Sequence, residues 1–171
     1  MMKIAITVSL IIFLSAKATA NTIHFSPEIK TGPYIGAGLS GYGLQFGLRD
    51  VWGLESLYVS YTDTNAEFLY VDQDQISTYR IGGQFLLLDS PKMSLQVEVG
   101  LAKYRGERDY IISDKRYLYQ EGVSTSASWV IELNDYMAWR VGVDINYLDS
   151  SSTFLESSFA PALSTGLIFS F

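Results

Sequence analysis

The chain has 171 residues, a net charge of −6, 48% hydrophobic and 14% aromatic residues, and no cysteine. By length it holds one domain; its acidity argues against a nucleic-acid partner, and the missing thiols rule out a disulfide scaffold or a lipoprotein anchor. Composition alone leaves two uses for the apolar residues, a buried core or a bilayer-facing surface.

The chain opens with Met1-Met2-Lys3, a short basic start, followed by an apolar run from Ile4 to Leu14 and by Ala18-Thr19-Ala20, which has the small-residue pattern of a cleavage site. Residues 1–20 therefore read as a signal peptide, the rival being a retained anchor helix, for which the run before Lys17 is short. Cleavage after Ala20 leaves a mature chain beginning at Asn21 that is more acidic still. No later stretch approaches the roughly 18 apolar residues of a membrane helix, so any insertion must be by strands.

Residues 21–31 read as a polar periplasmic lead-in, and 32–171 as a succession of strands. Gly32 to Ser40 and Tyr42 to Arg49 form the first pair, with Ile35, Ala37 and Leu39, then Leu44, Phe46 and Leu48, on an apolar face and only Gly41 between the strands. Gly53 to Thr62 follows, then Ile76 to Leu88, where Tyr79, Ile81, Phe85 and Leu87 alternate with Thr78, Arg80, Gly82 and Gln84. Met93 to Tyr104, Tyr117 to Leu133 and Tyr136 to Leu148 keep the same period of two, as Trp139, Val141, Val143 and Ile145 against Arg140, Gly142, Asp144 and Asn146 show. Phe159 to Phe171, alternating down to a terminal aromatic, is the eighth strand.

The connections alternate in length. Asp50 to Trp52, Asp89 to Lys92 and Asn134-Asp135 are tight turns, while Asp63 to Gln75, Arg105 to Arg116 and Asp149 to Ser157 are long. Such alternation fits an up-and-down antiparallel barrel with short periplasmic turns and longer outer loops; the near-absent connection at Gly41 departs from it. A soluble sandwich would carry Lys, Glu and Thr on its water-facing positions, whereas the polar face here is mostly Gly, Ser, Ala and Asn, which suit the narrow interior of an eight-stranded barrel. The apolar face then meets lipid. On it, Tyr61, Tyr79, Tyr119, Tyr147 and Phe159 lie towards the long-loop ends, and Phe85, Trp129, Trp139, Phe169 and Phe171 towards the short-turn ends, as two aromatic girdles. Trp139 to Tyr147 covers about 20 Å of membrane depth, close to the expected apolar band.

With its alternating last strand ending on Phe171, the mature chain resembles the small OmpA/OmpX-type outer-membrane barrels. The resemblance implies an eight-stranded transmembrane β-barrel in the Gram-negative outer membrane, outer-membrane lipid as its surroundings, and Phe171 as part of the signal read by the barrel-assembly machinery. A monomer is expected, and the chain length argues against the periplasmic domain that some relatives carry.

Some relatives of this architecture are lipid- or peptide-cleaving enzymes that use His with Ser or an acid. Here the one histidine, His24, falls in the lead-in, off the barrel strands, so the usual catalytic dyads cannot be assembled. No catalytic residue, cofactor or metal site is expected. The polar face carries a charge cluster, Arg80, Glu98, Arg140 and Asp144, joined by Glu55 if Ser56 is a bulge. Salt bridges filling the lumen are the first reading of this cluster, and a polar path for small ions the second. In the outer loops, Phe68-Leu69-Tyr70-Val71, Tyr110-Ile111-Ile112 and Phe154 are apolar, and Phe68, Tyr70, Tyr110, Ile111 and Phe154 are the candidate contacts for a surface ligand or host factor. Alternatively, the two longer clusters merely extend their strands as hairpins above the membrane. The expected function is a structural or adhesion-like surface protein, with a narrow pore as the alternative and a lipid-modifying enzyme as a distant third.

Overall fold

The computed structural model describes residues 22–32, 39–68, 72–89, 92–108 and 115–171, and the proposed signal peptide lies outside them. Eight strands follow one another: β1 Ile23–Gly32, β2 Leu39–Val51, β3 Leu54–Phe68, β4 Asp72–Asp89, β5 Lys92–Arg108, β6 Arg116–Asn134, β7 Met137–Tyr147 and β8 Phe159–Ser170. Each pairs antiparallel with the next, and β1 pairs with β8, so the sheet closes into an up-and-down barrel without a free edge.

The first hairpin corrects the sequence reading. Residues 23–32, taken as a lead-in, are a barrel strand paired from Ile23↔Leu48 to Gly32↔Leu39, and the first strand is not Gly32 to Ser40, most of which lies outside the described residues. With that shift the connection at Gly41 disappears into β2, whose partner on the other side runs from Ser40↔Asn65 to Val51↔Leu54. The periodicity of β1 is regular, but it is carried by His24, Ser26, Glu28 and Lys30, all buried, while Pro27 and Ile29 are exposed. Pro27 has no N–H, and the β1–β8 ladder skips from Phe25↔Phe169 to Glu28↔Gly166 around it. The seam is completed at the rim by Ile23 N–H donating to Phe171 O at 2.6 Å and by Phe171 N–H donating to Ile23 O at 3.3 Å.

Turns of two residues join strands at one end. Trp52 and Gly53 both have positive φ, 54° and 80°, the conformation of a primed hairpin turn. At the other end β3 and β4 run together as far as Phe68↔Asp72, and β5 and β6 as far as Arg108↔Arg116. These two segments are therefore extended hairpins rather than open loops.

A barrel this narrow has two unlike surfaces. Val97, Val99, Leu101, Val123, Val141, Val143 and Ile145 are exposed on the outside, whereas Gln96, Glu98, Ser124, Ser126, Arg140 and Asp144 are buried inside. An apolar exterior around a polar interior inverts a soluble protein, and a closed sheet of this kind is stable only where lipid covers its outer face.

Candidate functional site: a filled lumen and its two mouths

Six ions meet in the middle of the lumen. Arg80 Nε lies 2.7 Å from Glu98 Oε2, and Arg80 Nη1 lies 3.0 Å from Asp144 Oδ1. Arg140 Nη2 lies 2.8 Å from Glu28 Oε2 and 4.0 Å from Glu98 Oε1. Lys30 pairs with Asp144 and, at 3.3 Å, with Glu28 Oε1. Three acids balance three bases, and the six side chains come from β1, β4, β5 and β7. All are nearly inaccessible. The cluster contains Arg80, Glu98, Arg140 and Asp144 as expected on the polar face, and it adds Glu28 and Lys30, which the lead-in reading had removed from the barrel.

Register explains how so many ions fit. Lys30 lies opposite Gly41 and Ser164, Glu28 opposite Gly43 and Gly166, Arg80 opposite Ser60 and Gly100, Glu98 opposite Gly82 and Ser126, and Asp144 opposite Ser126 and Ala162. A long ionic side chain occupies space that its two neighbours leave empty. At Gly43 a Cβ would collide with the Glu28 carboxylate, and at Gly82 it would lie 2.7 Å from the Glu98 Cγ. The small residues of the polar face and its few ions are thus one packing solution.

Neutral polar groups extend the network. Ser60 Oγ donates to Glu98 at 2.7 Å, and Gln45 Nε2 also donates to Glu98, at 2.5 Å. Gln45 in turn bonds His24 Nε2 at 3.1 Å, and the imidazole stacks on the Tyr58 ring with centroids 4.9 Å apart. His24 is therefore inside the barrel, contrary to its expected place off the strands. It is buried between Gln45 and the Tyr58 ring.

Glu55 does not join this group. β2 and β3 pair without a register shift, so Ser56 is no bulge; Ser56 keeps the lumen parity and Glu55 bends in at the short-turn rim. There it accepts from Gln84 Nε2 at 3.0 Å and from Ser94 Oγ, with Lys92 Nζ 3.9 Å away. Lys92 and Arg49 both reach Glu132, at 2.9 and 3.2 Å, and Arg49 donates to Ser170 Oγ at 2.9 Å. This second ionic group lines the lower mouth.

The upper mouth is closed by apolar packing. Ile76, Ala102, Tyr104, Leu148, Leu155 and Ala160 form a buried cluster beneath the β7–β8 connection. Tyr104 Oη donates to Asp74 and accepts from the Phe154 N–H at 3.1 Å, while Arg108 pairs with Asp74 at 2.8 Å. Phe154 was expected as an exposed loop contact. Instead its half-buried ring lies under the Arg108 guanidinium, 4.4 Å from the ring centroid, so the loop folds down into the barrel. In the same loop the Ser151 backbone N–H donates to Asp149 and holds its carboxyl below the usual range.

Of the other loop candidates, Phe68 ends β3, and Tyr70, Tyr110 and Ile111 lie outside the described residues. Tyr79, Tyr119, Tyr147, Phe85, Trp129 and Trp139 are exposed on the outer wall, and Tyr61 and Phe169 are partly so. Tyr61 packs on Tyr79 across the β3–β4 pair with centroids 5.1 Å apart, and Tyr147 on Phe159 at 5.3 Å.

No protein-family model matches the sequence, and no curated protein sequence is significantly similar to it. Solved structures do match the fold. The attachment invasion locus protein Ail of Yersinia pestis is 11% identical, with a TM-score of 0.66 over 88% of this chain and 97% of Ail. The N-terminal β-barrel domain of Pseudomonas aeruginosa OprF is 14% identical, with a TM-score of 0.60 over 88% of this chain and 98% of that domain. Neisserial surface protein A is 11% identical, with a TM-score of 0.57 over 88% and 96% of the two chains. Ail has also been solved in complex with the heparin analogue sucrose octasulfate. The fold of the present chain is that of the small outer-membrane β-barrels of Gram-negative bacteria.

Proposed function

We propose that this protein resides in the Gram-negative outer membrane as a monomeric barrel with a closed lumen, and that it acts through its outer hairpins as a structural or surface-interaction protein. The observation that carries this reading is the six-ion network spanning β1, β4, β5 and β7, with a second ionic group below it and an apolar cluster above. Charges held this tightly stabilise a unique packing and obstruct passage. Among the described residues, the hairpins formed by β3 with β4 and β5 with β6 reach beyond the apolar wall. A surface-binding role agrees with Ail, which has the same fold and binds an anionic saccharide analogue. In this reading residues 1–20 are the export signal, Phe171 helps the assembly machinery to recognise the chain, and His24 packs the lumen with no part in catalysis.

Two variants test it in parallel, one lacking residues 65–74 and one lacking 107–114, each scored for cell-surface binding and for envelope permeability. Loss of binding with unchanged permeability is the expected result. Planar-bilayer recordings in which the wild-type protein conducts, with a conductance that shifts on Glu98→Gln, would replace this reading with the narrow pore.

A further inference from the structure

Above the apolar wall, the outer faces of β3, β4, β5 and β6 change character in successive rows. Tyr61, Tyr79, Leu101 and Val123 form one row; Asp63, Ser77, Lys103 and Glu121 the next; Asn65, Gln75, Arg105 and Tyr119 the third. Each row is about 7 Å farther along the strands, so the third stands roughly 13 Å beyond the tyrosines, beside the headgroups of the outer leaflet and not on top of the barrel. A cavity of about 180 Å³ opens there, lined by Asn65, Gln73, Gln75, Arg105 and Glu107 with Ala66 and Asp74 behind.

The lining is prepared for hydroxyl groups. Asp63 accepts from Asn65 Nδ2 at 3.1 Å and from Gln75 Nε2 at 2.9 and 3.1 Å, as well as from Tyr61 Oη and Ser77 Oγ. Holding the two amide nitrogens in this way turns the carbonyl oxygens of Asn65 and Gln75 to other partners as fixed acceptors. Arg105 supplies planar donors beside them; no carboxylate among the described residues pairs with it, and its guanidinium lies 5.9 Å from the Tyr119 ring centroid. Two fixed carbonyl acceptors beside the planar donors of Arg105 match the vicinal hydroxyls of a sugar, and the guanidinium matches an attached phosphate or carboxylate.

We infer that this cavity binds a saccharide unit of an outer-leaflet glycolipid, with Asn65, Gln75 and Arg105 in contact and Asp63 as a positioning residue. The inference rests on the outer-membrane reading, because only there does the wall face glycolipid headgroups.

The test immobilises the folded protein in detergent and measures its affinity for lipopolysaccharide carrying a full core oligosaccharide, for lipid A without core sugars, and for the delipidated core oligosaccharide. Wild type should favour the full glycolipid over both fragments. Arg105→Ala and Gln75→Ala should each weaken binding of the full glycolipid by about tenfold, the loss expected for one charge-assisted or well-aligned hydrogen bond, and leave lipid A binding unchanged. Gln73→Ala, which lines the cavity without touching Asp63, gives a third reading should the Gln75 variant fail to fold. Equal affinity for lipid A and the full glycolipid, unchanged affinity in the variants, or equally tight binding of the delipidated sugar would overturn the proposal. Heat-dependent gel mobility and membrane fractionation of the same samples report separately on the barrel. A protein that fractionates as soluble would sink the outer-membrane reading and this inference with it, whereas a membrane-embedded barrel indifferent to glycolipid would sink the inference alone.

Discussion

On β7, Val141, Val143 and Ile145 face outward and Arg140, Gly142 and Asp144 inward, so residues one peptide apart meet opposite solvents. The outer wall is interchangeable in detail, since any apolar side chain satisfies lipid. The lumen is not, because each ion there has named partners and each partner a small neighbour that makes room for it. Substitutions should therefore be costly by different routes on the two faces: loss of a specific partner inside, and gain of any charge outside.

The largest effect is expected from unbalancing the lumen. Glu98→Gln removes one acid from three and leaves Arg80 with Asp144 alone on that side, which should destabilise by about 3 to 5 kcal/mol. Arg80→Met with Glu98→Leu keeps the remaining charges equal in number, Arg140 with Glu28 and Lys30 with Asp144, and should cost less than either single change. Urea unfolding from lipid vesicles measures all three. Additive costs would mean that the ions act singly and that the network is no unit.

On the outer wall, Val143→Arg should cost about 2 to 4 kcal/mol if the residue lies near the bilayer midplane. At the adjacent Gly142 any side chain is obstructed by Ser128, so Gly142→Ala should also destabilise, through crowding rather than charge. The two faces then separate by chemistry: Val143→Leu is tolerated and Gly142→Ala is not. Wild-type folding of Val143→Arg would reverse the assigned facing of β7.

A smaller effect is expected at the upper mouth. Tyr104→Phe removes the hydroxyl that links Asp74 to the Phe154 backbone, for a loss of about 1 to 2 kcal/mol. The readout that distinguishes local opening from global weakening is limited proteolysis within residues 149–158, which should quicken while the rest of the barrel stays resistant. Unchanged cleavage would mean that the loop is held down by its apolar contacts with Leu148 and Leu155 alone.

How much of this was readable in the sequence differs between the same two surfaces. Period-two alternation located β2 to β8 because their outer residues are mostly Val, Leu, Ile, Phe, Tyr and Trp, which register as apolar whatever faces the other way. β1 was lost because its outer set includes Pro27, and because its lumen set, His24, Ser26, Glu28 and Lys30, is as polar as a loop. The signal that could have recovered it is the same alternation seen from the polar side, together with the small residues of the partner strands, Gly41, Gly43, Ser164 and Gly166, which have no purpose without long side chains opposite them. Glu55 was misplaced for another reason: at a rim, a side chain of outward parity can curl around the end of the sheet, and parity there no longer decides facing. The glycolipid cavity was illegible, since Asn65, Gln75 and Arg105 meet only through cross-strand register.

The smallest effect separates the two surfaces most finely, because it places the same kind of ion pair outside. Lys103 and Glu121 lie opposite each other on β5 and β6, 3.3 Å apart, one row above Leu101 and Val123, and both are well exposed. In water such a pair couples by less than about 1 kcal/mol, against several for its buried counterparts in the lumen. A double-mutant cycle with Lys103→Ala and Glu121→Ala in lipid vesicles should return that small value, with most of it lost in high salt. A coupling of several kcal/mol that salt does not screen would mean that lipid, not water, surrounds the pair. The apolar band would then extend past Tyr61 and Tyr79 by a full row, and the cavity at Arg105, one row farther, would open at the edge of the lipid instead of beside the headgroups.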